Sequence, residues 1–202
     1  IRQVFGWRSY CRLIYREERD VMMRSNYMRH TKKLPKSWFS NSKITTHIPW
    51  LDTMFEDAYN KAYAHHIVRL MVFSQWFLLM RFHPRDILDW FWSVVSIDAY
   101  EWVMVPNVLG MGQYVDGGIM MTRPYISSST YLEKMSRNTL KGCVKIGKKE
   151  YQWQEIWRSL YYDFLHKHKQ RIGKQYAYAS SYSRMKNIDI EYKKISKKYR
   201  EL

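Results

Sequence analysis

Apolar residues recur every three or four positions between residues 51 and 80, and this spacing constrains the fold more than any other feature. The repeat runs through Leu51, Met54, Phe55, Ala58, Ala62, Ile67, Leu70 and Met71. Because such spacing puts apolar side chains on one face of an α-helix, it predicts a long helix from Leu51 to Met80. Acidic residues in the first turns, which complement the helix dipole, support that start: Asp52, Glu56 and Asp57.

Two more helices are predicted further along the chain. Pro84 suits the first turn of a helix, and Asp86 and an apolar run to Trp92 follow it. A third helix is predicted from about Glu150 to Lys169, because Trp and Leu residues form one stripe there. Glycines and prolines between these segments mark loops, and we find no clean β alternation. The predicted fold class is all-α.

Composition sets the class of protein. The chain has 202 residues, of which 46% are apolar and 17% aromatic, so it can bury a core and is not disordered. The most apolar stretch, Met71 to Met80, is too short and too polar to cross a bilayer, which predicts no membrane partner. Cys11 and Cys143 cannot form a disulfide framework, which favours a reducing compartment, the cytoplasm. Because Ile1 already lies inside an amphipathic pattern, we expect the chain to be a piece of something longer.

Positive charge is concentrated in the C-terminal third. The chain carries 34 Lys and Arg against 18 Asp and Glu, a net charge of +16, and residues 134–202 hold 18 of those bases and 6 of the acids. Residues 186–202 are predicted to form a basic C-terminal helix or tail. A basic surface rich in Trp and Tyr suits nucleic acid, although a solvated face would have the same composition. A membrane-surface role rests on the basic tail alone.

Several kinds of active site are excluded by the motifs. The sequence has no Walker loop, no G-x-G-x-x-G, no H-E-x-x-H and no C-x-x-C, and its histidines are scattered, so no metal site is predicted. The unusual cluster is His65, His66 and Arg69 within the apolar segment. Buried polar groups need partners, and Asp98 and Glu101 are the nearest candidates in the sequence. This pattern indicates a polar site inside an aromatic core, suited to a planar cofactor, although histidines in a satisfied core remain the alternative.

Four further segments carry a resemblance to a known family. They are Tyr-Ala-His-His-Ile-Val-Arg-Leu-Met at 63–71, Asp-Ala-Tyr-Glu-Trp-Val-Met-Val-Pro-Asn-Val-Leu-Gly-Met at 98–111, Tyr-Val-Asp-Gly-Gly at 114–118 and Arg-Pro-Tyr-Ile-Ser-Ser at 123–128. In this order and spacing they resemble the C-terminal FAD-binding domain of the cryptochrome/photolyase superfamily. The branch they resemble most is the bacterial group that repairs (6-4) photoproducts and usually carries an iron–sulfur cluster. The N-terminal Gly-Trp-Arg-Ser-Tyr also resembles a family helix, and the likeness runs over residues 1–185.

The resemblance implies a helical domain that holds FAD above an opening that faces UV-damaged DNA. Arg69 and Asp98 match the family's ion pair beside the flavin ring, and Met104 matches the position opposite flavin N5. His65 and His66 match the histidines of the lesion pocket, one of which exchanges a proton with the photoproduct. The remaining matched positions are pocket tyrosines, an aromatic–basic pair near the extruded lesion and an electron-transfer Trp: Tyr125, Tyr131, Trp7, Arg8 and Trp90. An antenna-binding N-terminal domain would precede this part in the full-length chain.

The sequence also departs from the family. An iron–sulfur cluster needs four cysteines, and the matching positions hold Trp50, one retained cysteine (Cys143) and the segment Tyr151–Gln154, so the cluster is predicted to be absent. Beside Trp90, the family's Tyr position is Phe91, and a third redox position falls near Ser42.

Two functions follow from these matches and departures. One is a photolyase or cryptochrome-like lyase for (6-4) photoproducts. The other is a non-catalytic, cluster-less descendant that acts as a nucleic-acid-binding or assembly module.

Overall fold

The computed structural model describes residues 2–40, 44–185 and 189–202, and its contacts divide the chain into two compact units. The first unit consists of Ile1–Ile44 and Phe55–Tyr125, and the second of Thr45–Met54 and Ile126–Leu202. Helices dominate both units, and the described residues contain a single two-stranded sheet. The predicted helical class is therefore confirmed.

The first unit is built from helices and wide helical turns. The helices are α1 Trp7–Arg24, α2 Pro49–Lys61, which the division between units crosses, α3 His66–Val68, α4 Ser74–Met80, α5 Pro84–Val94 and α6 Ala99–Trp102. Turns of the π type cover Arg2–Gly6, Arg69–Phe73 and Val105–Gly112, and a 3-10 turn covers Lys36–Phe39.

Aromatic rings form the core of this unit. Phe55 and Phe73 stack with their ring centres 4.3 Å apart, and Trp90 meets Phe55 edge-on at 5.5 Å and Phe77 at 5.1 Å. All four side chains are fully buried. Edge-to-face and offset pairs are the favoured aromatic geometries, so this cluster is well packed as well as apolar.

The helix predicted to start at Pro84 is confirmed. Pro84 occupies the first turn of α5, and the Nδ1 atom of His83 accepts the backbone N–H of Arg85 at 3.3 Å, which caps the helix. Proline loses nothing at this position, because an N–H there has no partner inside the helix.

The prediction of one helix from Leu51 to Met80 is wrong. Helix α2 ends at Lys61, Ala62 adopts a left-handed backbone with φ 49°, and helical structure resumes at His66. In a continuous helix the carbonyl of Ala64 would accept the N–H of Val68; instead it accepts the Nε–H of the buried Arg69. Satisfying a buried guanidinium outweighs the local helical preference, and apolar spacing alone cannot reveal that competition.

The second unit contains helices and a hairpin. After the N-terminal turn of α2 come α7 Ser129–Met135, β1 Cys143–Ile146, β2 Lys149–Gln152, α8 Trp153–Lys167, α9 Lys169–Ile172, α10 Ala179–Met185 and α11 Asp189–Arg200, with a 3-10 turn at Tyr176–Tyr178. Strands β1 and β2 are antiparallel, with Val144 opposite Tyr151.

The hairpin corrects two expectations. The sequence showed no clean β alternation, yet Gly147 takes the positive φ of 62° that a tight reversal needs, and the strands form around it. The third helix therefore begins at Trp153 rather than at about Glu150. Its start is marked by the carboxylate of Glu155, which accepts the backbone N–H of Gln152 at 2.8 Å.

The basic C-terminal segment packs as a helix where it is described. Residues 186–188, the start of the predicted segment 186–202, lie outside the described residues, as does the redox position near Ser42. Helix α11 buries Ile195 and Tyr199, and the hydroxyl of Tyr199 donates to the carbonyl of Thr46 at 2.6 Å. A domain boundary between residues 185 and 186 stays a prediction. Within the described ranges, every helix is too short or too polar to cross a membrane.

Candidate ligand-binding site

Two irregular segments of the first unit are joined where α2 and α5 end. The backbone N–H of Ile97, after α5, donates to the carbonyl of Ala62, after α2, at 3.0 Å. The first segment, which follows α2, leads into His65, His66 and Arg69. The second segment, which follows α5, leads into Asp98 and α6. The bond therefore brings the polar residues of both segments to one place.

Arg69 is the central side chain, and it is only 1% exposed. The carbon at the centre of its guanidinium lies 4.9 Å from the ring centre of Tyr63 and 4.9 Å from that of Trp102. A planar guanidinium stacks on aromatic faces and is weakly hydrated, so arginine tolerates this burial better than lysine would.

Asp98 is the counter-ion of Arg69. Its Oδ1 lies 2.7 Å from Nη1 of Arg69, and its side chain is 32% exposed. The two groups are not aligned as a hydrogen bond, and Nη2 of Arg69 has no hydrogen-bond acceptor among the described residues. The expected pairing of Arg69 with Asp98 is thus present, and it leaves donor capacity on the guanidinium.

The turn that carries Asp98 is held by two left-handed residues. Asp98 precedes the four-residue helix α6 with φ 58°, and Val103 follows it with φ 54°. Aspartate tolerates this conformation, but a β-branched residue there is strained by about 1–3 kcal/mol. Such strain persists only where the surroundings fix the backbone, and it concentrates at functional sites.

Both histidines have their Nδ1 atoms engaged. Nδ1 of His65 accepts the backbone N–H of Ile67 at 3.3 Å, at the start of α3. Nδ1 of His66 accepts the indole N–H of Trp102 at 2.7 Å. The pKa of His66 is lowered from its ordinary value by burial first, and then by its electrostatic interactions with His65, Arg69 and Arg8, whereas Asp98 acts to raise it. His66 is therefore neutral near pH 7.

Trp7 and Arg8, at the start of α1, reach the same site. Nε1 of Trp7 donates to Oδ1 of Asn107 at 3.3 Å, and Arg8 approaches Glu101 at 3.5 Å. Asn107 is buried, and its amide nitrogen donates to the carbonyls of Trp102 at 2.5 Å and Val103 at 3.2 Å. Glu101, one of two expected partners for the histidine–arginine cluster, contacts arginines of α1 instead.

These side chains line an open cavity of about 250 Å³. It is lined by Trp7, Arg8, Tyr63, His65, His66, Arg69, Asp98 and Trp102. Six of these eight residues were predicted as site residues from three separate stretches of sequence. The lining combines two cations, one carboxylate, two imidazoles and three aromatic rings, so it offers a stacking surface and several hydrogen-bond donors to a planar ligand.

The other predicted residues lie elsewhere. Met104 is buried and lines a separate cavity of about 260 Å³ with Tyr15, Trp92 and residues of α6. Trp90 lies in the aromatic core, where its Nε1 donates to the hydroxyl of Tyr59 at 3.1 Å. At the end of the first unit, the central guanidinium carbon of Arg123 lies 5.6 Å from the ring centre of Tyr125. Tyr131 lies in α7 of the second unit. Their proposed roles stay predictions.

Aromatic rings surround Trp50, one of the positions that the resemblance matches to a cluster ligand. The ring centre of Trp50 lies 5.2 Å from that of Trp153 and 6.1 Å from that of Trp157. Cys143, in β1, is half-buried and free. The space around Trp50 in this unit is filled by indole rings, which pack as hydrocarbon and offer no metal-ligating atom.

Sequence reasoning gave no role to Tyr63 and Trp102. Tyr63 lies in segment 63–71 and Trp102 in segment 98–111, but their contacts with Arg69 depend on the break after α2. The sequence signal that could have identified them is the position of a large aromatic residue near the polar residues in each segment.

Comparison with known proteins finds two relatives and no matching family model. The chain is 34% identical over 185 residues to a (6-4) photolyase of Agrobacterium fabrum, a match that covers 91% of this chain. It is 35% identical over 117 residues, 57% of this chain, to an uncharacterized protein of Acanthamoeba polyphaga mimivirus, of which it covers 87%.

The chain spans 35% of the length of the photolyase that it matches. The extent of the similarity, over nearly the whole of this chain, supports a place in the photolyase/cryptochrome family.

Proposed function

We propose that this chain, as a relative of (6-4) photolyases, is the C-terminal helical part of a flavoprotein that repairs pyrimidine (6-4) photoproducts in DNA. One observation carries the proposal: Trp7, Arg8, His65, His66, Arg69 and Asp98, each matched to the family from sequence, line a single cavity. A chain that kept only the helical scaffold would have no physical need for a buried arginine with unused donors beside two histidines.

The residues of the cavity fit the ring end of a flavin. Nη2 of Arg69 is buried without a hydrogen-bond acceptor among the described residues, and Tyr63 and Trp102 present aromatic rings beside it. A volume of about 250 Å³ is below the usual range of about 300–1,000 Å³ for drug-sized ligands. The site therefore suits one ring system, and other parts of a full-length protein would hold the rest of FAD. When bound, FAD supplies the light-driven electron donor of this family.

The protein's own residues supply binding and proton positioning. Trp7 offers a ring on which an extruded base can stack, and Arg8 offers a cation for a phosphate or carbonyl oxygen. His66 is neutral and holds a proton that it can share with an acceptor in the cavity. The net charge of +16 favours association with the DNA backbone.

A second candidate function is a non-catalytic nucleic-acid-binding module. One observation favours it: Lys194, Lys197 and Lys198 are exposed on α11, while Ile195 and Tyr199 anchor the opposite face. This surface neutralises phosphate without any contribution from the cavity.

A flavin-binding and repair experiment separates the two functions. The full-length protein that contains this chain is purified, incubated with FAD, desalted, and examined for a structured flavin absorption band. It is then illuminated with DNA that carries one (6-4) photoproduct. We expect a retained band and repair of the lesion. Absence of the band in a protein with helical circular dichroism would reject the first function, and salt-dependent DNA binding would then support the second.

Two variants test the assigned residues. His66→Ala is expected to keep the flavin and lose repair by roughly 100-fold or more, the usual effect of removing a general acid. Arg69→Lys is expected to weaken flavin retention, because lysine lacks the planar group that packs against the rings of Tyr63 and Trp102. Arg16→Lys, at a position on α1 whose side chain is 76% exposed, is the matched control and should change neither property. Unchanged repair in His66→Ala would refute the role of His66.

A further inference from the structure

Trp102 holds His66 through one short hydrogen bond. Its indole N–H donates to Nδ1 of His66 at 2.7 Å, and the two rings meet edge-on with centres 6.1 Å apart. Trp102 itself is 6% exposed and is fixed from several sides. Its backbone carbonyl accepts the amide of Asn107, and its ring packs against Phe91 at 6.0 Å.

An indole nitrogen can only donate, so the atom that faces it must carry a lone pair. A neutral imidazole has one N–H, which in His66 must then be on Nε2. If His66 were protonated, the Nδ1–H bond would point at the N–H bond of Trp102, and the contact would be lost. The hydrogen bond therefore selects both the charge state and the tautomer of the ring.

Three of the neighbours of His66 act in the same direction. Arg8 approaches from α1, His65 precedes it in the chain, and Arg69 follows one turn later; all three oppose a positive imidazole. Among the described residues, Asp98, before α6, favours protonation, and burial outweighs it in lowering the pKa of His66.

The remaining edge of the ring belongs to the cavity. His66 is half-buried and lines the cavity beside Trp7, and its Nε2 has no hydrogen-bond partner among the described residues. An Nε2–H group there is a donor without an acceptor. The Nη2 group of Arg69, which also lacks an acceptor among the described residues, is a second such donor. An occupant with only donors at these points would leave donors facing donors, and at the buried Nη2 of Arg69 that mismatch is costly.

We infer that Trp102 is a positioning residue that commits His66 to donate from Nε2, so that the cavity selects an occupant with a hydrogen-bond acceptor, a carbonyl or phosphate oxygen or a ring nitrogen, at that point. The inference deepens the proposed function by defining the chemistry of the ligand. The tautomer itself does not depend on flavin or on repair.

Nitrogen NMR tests the tautomer directly. Protein labelled with 15N-histidine is examined near pH 7 in long-range 15N–1H spectra, and His66→Gln identifies the resonances of His66. We expect the Nε2–H tautomer in the wild-type protein. In Trp102→Phe the ring remains but the donor is lost, so the preference for that tautomer should fall by roughly tenfold, the effect of one hydrogen bond. The pKa of His66 should rise in the same variant.

Trp92→Phe is the matched control, because Trp92 lies on α5, lines the other cavity and is 39% exposed. It should leave the His66 resonances unchanged. An Nδ1–H tautomer in the wild-type protein would overturn the inference, whether or not Trp102→Phe folds. If folded Trp102→Phe shows the same tautomer ratio as the wild-type protein, that result would overturn the inference as well.

The preference for an acceptor has its own test. Thymidylyl-thymidine, which offers carbonyl and phosphate oxygens, is titrated into the labelled protein, and guanidinium at equal millimolar concentration serves as a donor-only probe. We expect the Nε2–H proton of His66 to shift with the dinucleotide and not with guanidinium. A shift with guanidinium alone, or with neither, would refute the acceptor selectivity. If the protein fails to bind FAD but these shifts hold, the proposed repair function fails and the inference stands.

Discussion

Ile97 donates its backbone N–H to the carbonyl of Ala62 at 3.0 Å, and this bond joins two of the segments that line the cavity. The segment that contains Ala62 leads from the end of α2 to His66 and Arg69. The segment that contains Ile97 leads from the end of α5 to Asp98. Both helices stop before these residues, and Asp98 lies 2.7 Å from Arg69, close enough to form their ion pair.

Removing the counter-ion of Arg69 should destabilise the protein. In Asp98→Asn the shape is kept but a guanidinium that is 1% exposed loses its partner. Breaking a buried pair in this way costs about 3–5 kcal/mol, and since Asp98 is one-third exposed we expect about 2–3 kcal/mol. Urea unfolding followed by circular dichroism measures the loss. Asp57→Asn, which breaks the exposed pair with Lys61, should cost less than about 0.5 kcal/mol; equal losses in the two variants would contradict the assignment.

Stability should depend on pH through His66. Its folded pKa lies below the ordinary 6.5, so the unfolded state binds the proton more readily. The contribution is therefore present above about pH 6.5 and is lost as the pH falls towards the folded pKa. His66→Gln should remove this part, so the difference in unfolding free energy between wild type and variant should shrink from about pH 7.5 to pH 5. A difference that grows on acidification would reverse the sign and refute the neutral state. His83, whose pKa is also lowered, titrates in both proteins and cancels.

Asn107 should be costly to replace. It is 1% exposed, donates to two backbone carbonyls beside α6 and accepts from Trp7. In Asn107→Ala these groups lose their partners inside the protein, which predicts a loss of about 2–4 kcal/mol in unfolding free energy. Asn60→Ala, on the exposed face of α2, is the control and should be neutral or slightly stabilising. A fluorescence change of Trp7 in Asn107→Ala, relative to the control, would show that the indole has moved; stability within 0.5 kcal/mol would contradict the prediction.

The tryptophan cluster of the second unit should carry much of that unit's stability. Trp153 is fully buried, packs edge-on against Trp50 and donates to the carbonyl of Leu140 at 3.1 Å. Trp153→Ala should cost about 3–5 kcal/mol, measured by thermal unfolding. Tyr176→Ala, at a side chain that is 95% exposed, should have almost no effect. Comparable losses in both variants would mean that the cluster is not a core.

The sequence predicted the residues of the cavity better than the backbone that assembles them. Trp7, His65, Arg69 and Asp98 could be identified from motifs because each motif is short and continuous. The break at Ala62 could not, since alanine is a strong helix former and its left-handed conformation is imposed by tertiary hydrogen bonds.

The hairpin was missed for a related reason. Strands of four residues give too few alternations to recognise, and the positive φ of Gly147 becomes informative only when both strands are known. The separation of Met104 from the histidines also depends on α6, whose four residues leave no periodic signal. The long amphipathic helices, such as α5 and α8, could be predicted from the sequence, whereas the short elements could not.

The left-handed residues on either side of α6 have a consequence for any ligand. Asp98 and Val103 fix both ends of the turn, Asn107 holds its carbonyls, and Trp102 holds the ring of His66. The side chains on this wall of the cavity are thus held in place before anything enters, and their conformational entropy has already been lost during folding. A planar molecule that binds here gives up mainly its own freedom of motion, so even a small contact area can yield useful affinity.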